Sequence, residues 1–123
     1  MSTSTVSDSA WAAFPWTWRN NRGCAMVNGR FLRYGIPEPA GNKEPDDALK
    51  GADRIGFSPL VITADMVGST VAVFTSIEIK GHGDRLKEGQ RRWHSFVIEH
   101  GGRSEIWKEN ADGSVEIIKE KIE

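Results

Sequence analysis

A single cysteine, Cys24, among 123 residues excludes an internal disulfide and any zinc site built on several thiolates. Flanked by Ala25, Met26 and Val27, it reads as a small strand residue. The three histidines, His82, His94 and His100, are too few and too irregularly spaced for a zinc finger. No apolar run approaches the roughly 18–20 residues that span a bilayer. The stretch from Met1 to Ser9 has neither the basic start nor the apolar core of a secretory signal. A soluble intracellular protein with no membrane partner is the expectation. The phosphate loop Gly-x-x-x-x-Gly-Lys-Ser/Thr is absent, and nothing points to a serine or cysteine nucleophile. A net charge of −1 excludes a uniformly cationic DNA-coating protein.

What is present is an ordinary globular composition, 38% hydrophobic and 27% charged, in a length that predicts one domain over residues 1–123. Its charges are segregated. Arg19, Arg22, Arg30 and Arg33 fall in a stretch, Trp11 to Pro37, without any acid. Lys80, Arg85, Lys87, Arg91 and Arg92 cluster before His94 against only Asp84 and Glu88. Two basic regions on a near-neutral chain suit a phosphate-binding groove.

Residues 1–12 are expected to fray. Asn28-Gly29, both tolerant of positive φ, predicts a tight hairpin between strands Gly23–Val27 and Arg30–Tyr34. Residues 38–50, rich in Pro, Gly and charge, read as an exposed loop or insertion. Ile55–Thr63 reads as a strand interrupted by Pro59, and Val71–Lys80 as a central strand. A glycine corner at Gly81–Gly83 leads to a helix of about Leu86 to His100, closed by Gly101-Gly102. A strand at Ser104–Lys108 follows, and Val115–Ile118 fits strand or helix. The fold class expected is α/β (α+β), a mixed sheet with a flanking helix.

Glu78 and Lys80, two apart on one strand, share a face with Cα atoms about 6.5–7 Å apart. A carboxylate there can hold a hard cation while the ammonium reaches water or a phosphate oxygen. Asp53 heads the preceding strand. Were that strand to pair antiparallel with Val71–Lys80 through a turn near Gly68, Asp53 and Glu78 would be neighbours in need of a cation. At about 100° per residue, Leu86, Gln90, Trp93 and Val97 form one helix stripe, with Lys87, Arg91 and His94 outside it. Gln90 then faces the sheet, where its amide must find partners.

Asp53, Glu78-Ile79-Lys80 and Gln90, in that order, resemble the PD-(D/E)XK nucleases, and among them the VRR-NUC domain. Arg19-Asn20-Asn21-x-Gly23, the hairpin, Gly51-x-Asp53, Gln90-Arg91-x-Trp93 and Gly101-Gly102 extend the resemblance to its phage and bacterial members, over about Trp18 to Lys108. The resemblance implies a restriction-endonuclease-like core and a metal-dependent, structure-selective DNA endonuclease, similar to homodimeric Holliday-junction resolvases. It would work in the cytoplasm of a bacterial or phage-infected cell. It implies Mg²⁺ (Mn²⁺ substituting) on Asp53, Glu78 and the Ile79 carbonyl, Lys80 orienting the attacking water, and Gln90 supporting that lysine or a phosphate. Arg19, Asn20, Asn21 and Arg22 on one side, and Arg85, Lys87 and Arg91 on the other, would hold backbone phosphates without reading sequence. The family also carries an N-terminal helix with a further glutamate, where this chain offers only Asp8. A catalytically degenerate DNA-binding protein is therefore the alternative. Trp11, Trp16 and Trp18 are open to core packing or a dimer contact.

Overall fold

The computed structural model describes residues 3–41, 43–45 and 47–122 and divides into two compact units, residues 1–58 and 59–123. It is a mixed α+β structure of small sheets with two α-helices among the described residues.

The N-terminal unit begins with α1 (Thr3–Ala13). The frayed start expected for residues 1–12 is thus a helix from Thr3 onward, with Met1 and Ser2 outside the described residues. Its Ser- and Thr-rich sequence has modest helix propensity and no apolar stripe, so pattern reading misses it. β1 (Thr17–Arg19) follows, then the hairpin of β2 (Gly23–Val27) and β3 (Arg30–Tyr34). The hairpin has the expected register, with Val27 opposite Arg30 and Asn28 and Gly29 at φ 49° and 74°. Both turn residues adopt the left-handed region that a type I′ turn requires.

The loop expected over residues 38–50 carries no helix or strand among its described residues, with Asn42 and Asp46 outside them. It is tethered, however: Glu44 takes a two-pronged ion pair from Arg22, at 2.5 and 2.8 Å. β4 (Arg54–Gly56) is shorter than the strand expected from Ile55 to Thr63, and it pairs antiparallel with β1, placing Trp18 opposite Ile55. Trp16 and Trp18 pack on Phe57, with ring centroids 6.3 and 6.1 Å away, so these two tryptophans are packing residues of this unit.

In the C-terminal unit, β5 (Thr75–Lys80), α2 (Glu88–Glu99), β6 (Arg103–Glu109) and β7 (Val115–Ile118) form a three-stranded sheet in the order β5-β6-β7. The β5-α2-β6 crossover makes β5 and β6 parallel, and a tight turn makes β6 and β7 antiparallel. The central strand expected from Val71 is corrected on two counts. It starts at Thr75 and lies at the edge of its sheet, and the strand after Asp53 is paired with β1 instead.

α2 covers one face of this sheet. Val97 and Ile106, 1% and 0% exposed, form the apolar centre with Leu86. Polar links flank them: Trp93 Nε1 donates to Ser76 Oγ at 2.8 Å, and His94 Nδ1 contacts Ser104 Oγ at 2.8 Å. His94 is 1% exposed, which corrects its expected place outside the buried stripe. It follows Gln90 by four positions, hence about 40° around the helix, inside the width a packed face covers. His94 Nε2 donates to the Glu120 carbonyl at 2.6 Å, and Ser95 Oγ donates to the Ile122 carbonyl at 2.8 Å, fastening the chain's last described residues onto α2.

Candidate active site

Along β5, Ser76, Glu78 and Lys80 are shielded while Ile77 and Ile79 are exposed. The polar side of this strand is the one beneath α2, the reverse of ordinary burial. Such a reversal is expected where packing yields to function.

Gln90 occupies the third position of α2, where its amide serves two partners. Its Oε1 accepts from the Lys87 backbone N–H at 3.0 Å, satisfying one of the free donors at the helix start. The oxygen is thereby fixed toward Lys87, so the amide nitrogen must point the other way. Nε2 donates to Glu78 Oε1 at 2.9 Å. Lys80 Nζ lies 3.5 Å from the same oxygen, on a side chain only 10% exposed. Both contacts fall on Oε1, and the Glu78 side chain is 36% exposed, which leaves Oε2 available from solvent. Glu78, Lys80 and Gln90 are therefore brought together within one unit.

Beside them opens a cleft of about 970 Å³, lined by Lys80, Arg85, Lys87, Arg91 and Lys108 with the acids Asp84 and Glu88. Both acids are engaged: Asp84 Oδ2 accepts from the Gly81 N–H at 3.1 Å, and Glu88 pairs with Arg92 at 3.4 Å. The cleft is cationic and large enough for a nucleotide-sized group. Lys108, which the sequence reading missed, is the parallel register partner of Lys80. The strand-helix-strand order held that signal, because a helical crossover brings the ends of two parallel strands side by side.

Asp53 belongs to the N-terminal unit, exposed immediately before β4. Its carbonyl accepts from the Asn20 N–H at 2.8 Å. The Asn20 side chain braces the same place: Nδ2 donates to the Ala52 and Ile36 carbonyls at 3.0 and 2.8 Å, and Oδ1 accepts from the Ile36 N–H at 3.0 Å. Gly51 is required here, since a Cβ would stand 1.9 Å from the Ile36 carbonyl oxygen. The Gly51-x-Asp53 step is a backbone clamp.

Two residues expected to bind phosphate are thereby reassigned. Asn20 holds this clamp, and the guanidinium of Arg22 is occupied by Glu44 and the Pro37 carbonyl. A side chain whose donors are satisfied inside the protein is poorly suited to a ligand. Arg19 and Asn21 remain exposed.

The Arg22 hydrogen bond, helped by the Ala40 N–H, holds the Glu44 carboxyl below its ordinary range against a smaller effect of burial. A hydrogen bond from Lys121 does the same for Glu99, again against burial.

Among the described residues no three or more His, Cys, Asp or Glu side chains gather as a metal cluster. The donors at hand are oxygens, a carboxylate of Glu78 beside an ammonium. That set suits a hard cation keeping several waters of its own, as Mg²⁺ does. No helix of the described residues is long and apolar enough to cross a membrane.

No curated protein and no solved structure matches the chain. The family model of the VRR-NUC domain matches residues 12–109, most of the chain, including every residue of the Asp53, Glu78-Ile79-Lys80 and Gln90 series. On that match, this chain belongs to the VRR-NUC family and carries a nuclease-type domain.

Proposed function

We propose that the chain is a Mg²⁺-dependent endonuclease on a PD-(D/E)XK core, acting on branched DNA as a homodimer. The observation that carries this reading is the Glu78–Lys80–Gln90 cluster, hydrogen-bonded and opening on a cationic cleft. Glu78 and the Ile79 carbonyl would hold the ion, with Mn²⁺ as a substitute, and Asp53 is the further ligand that the family resemblance implies. When bound, the ion supplies Lewis-acid charge that acidifies water and offsets negative charge growing on the phosphate.

The protein's own residues do the rest. Gln90 fixes the Glu78 carboxylate through Oε1 and leaves Oε2 to its ligand. Lys80, held by Glu78, orients the attacking water or a non-bridging phosphate oxygen. The water oxygen bonds to phosphorus as one P–O ester bond breaks; the water gives up a proton, and the departing sugar oxygen takes one. Arg85, Lys87 and Arg91 hold backbone phosphates in the cleft, with Arg19 and Asn21 as further contacts. Backbone contacts of this kind select DNA by shape rather than sequence.

The test is cleavage of a panel of four-way junctions, flaps, nicked and plain duplexes, with Mg²⁺ or with EDTA. Metal-dependent cutting of a branched substrate, lost in Glu78→Ala and Lys80→Ala variants that remain folded, is the expected result. Undiminished cutting by both variants would refute the site.

One observation favours a second reading. The resemblance implies an N-terminal helix with a further glutamate, whereas Asp8 is the only acid of α1. A degenerate, non-cutting DNA-binding protein would bind the same panel in EDTA and cut nothing at any Mg²⁺ or Mn²⁺ concentration.

A further inference from the structure

We infer that Lys80 and Lys108 together form a phosphodiester-binding subsite for the DNA backbone, with Lys108 a substrate-contact residue. The inference rests on the reading of Lys80 as part of a nuclease centre.

Lys80 and Lys108 face each other across the parallel β5–β6 ladder. Register partners on neighbouring strands project to the same side, with strands about 4.8 Å apart. Both side chains line the cationic cleft. Like charges placed directly opposite on a sheet repel and destabilise it. Lys80 is compensated by Glu78 at 3.5 Å. Lys108 is not: among the described residues no carboxylate lies within ion-pair distance of it. Glu116, its register partner on β7, is exposed and forms no such pair.

Neither remaining acid at the cleft forms an ion pair with either lysine: Asp84 accepts from the Gly81 N–H, and Glu88 pairs with Arg92 on an open surface. An anion with two non-bridging oxygens can accept from both ammonium groups at once, and a phosphodiester is such an anion. Bound there, it lies beside the lysine that orients the attacking water. Lys108 contributes hold on the substrate, whereas Lys80 also contributes to the chemistry.

The experiment measures binding apart from cleavage. Fluorescence anisotropy of a labelled four-way junction in EDTA, from about 50 to 300 mM salt, gives both affinity and its salt slope. For the full chain carrying Lys108→Gln, the expected outcome is about fivefold weaker binding and a slope of log K against log salt shallower by about 0.9, the loss of one phosphate contact. Lys108→Arg restores both, because it returns a cation to the same place. With Mg²⁺ present, Lys108→Gln raises KM for the junction and leaves kcat nearly unchanged. Affinity and slope that stay at wild-type values in a folded Lys108→Gln protein overturn the subsite. If the wild-type chain cuts no substrate while Lys108→Gln still loses its slope increment, the nuclease reading fails and the subsite stands.

Discussion

Gln90 and Glu78, on different elements of the C-terminal unit, are joined by an Nε2–Oε1 hydrogen bond of 2.9 Å, and the orientation of that amide is set by the first turn of the helix. Helix capping and carboxylate placement are therefore two bonds of one side chain. On the proposed function, in which Glu78 is a metal ligand, Gln90→Ala should reduce cleavage about 10- to 100-fold, the usual effect of removing a residue that orients such a ligand. The Mg²⁺ concentration for half-maximal activity should rise in parallel. Activation curves measured on a variant with native circular dichroism check this; an unshifted curve with full activity contradicts it.

Asn20 links three segments, through Ile36, Ala52 and Asp53. Asn20→Ala keeps the backbone bond to Asp53 but loses the three side-chain bonds, at a cost of about 1–3 kcal/mol in urea unfolding, discounted for their exposure. Gly51→Ala should be worse, because its added Cβ meets a backbone carbonyl at 1.9 Å rather than a movable side chain. An Asn20→Ala protein as stable as wild type would show that the clamp holds nothing.

Glu44 sets a pH dependence with a definite sign. Its folded carboxyl titrates below the ordinary 4.5, chiefly because Arg22 bonds it. In the window between the lowered value and 4.5, the unfolded chain binds more protons, so stability rises with pH there. The contribution is complete above that window and lost as pH falls through the folded value. Thermal unfolding of wild type and Glu44→Gln should therefore differ in Tm at neutral pH and converge in acid. A Tm gap that persists at low pH would remove Glu44 as its cause.

The residues that could be placed from sequence were those whose local chemistry leaves few options. Asn28-Gly29 dictates a left-handed turn, and the observed hairpin has the expected ends. Gln90, Trp93 and Val97 mark a helix face by spacing alone, although the helix starts at Glu88 rather than at the expected Leu86, and Gln90 does meet Glu78. Long-range pairing was not legible in the same way. Nothing in Arg54–Gly56 says that its partner is Thr17–Arg19, because a three-residue strand has too little pattern to choose a register. His94 and Lys108 escaped because their positions follow from tertiary contacts, with the sheet and with a parallel neighbour. α1 was invisible to periodicity, having no apolar stripe to declare it. Asn20 and Arg22 look like phosphate ligands in sequence, and only the placement of Ile36, Ala52 and Glu44 reveals them as internal braces.

The proposed nuclease requires Glu78, held by Gln90, to be a ligand of its divalent ion. Mn²⁺ titration followed by electron paramagnetic resonance, on wild type, Glu78→Gln and Glu44→Gln, measures this without requiring turnover. Glu78→Gln should weaken Mn²⁺ binding at least about tenfold, while Glu44→Gln, whose carboxylate is paired with Arg22, should leave it unchanged. Wild-type Mn²⁺ affinity in a folded Glu78→Gln protein would contradict the account.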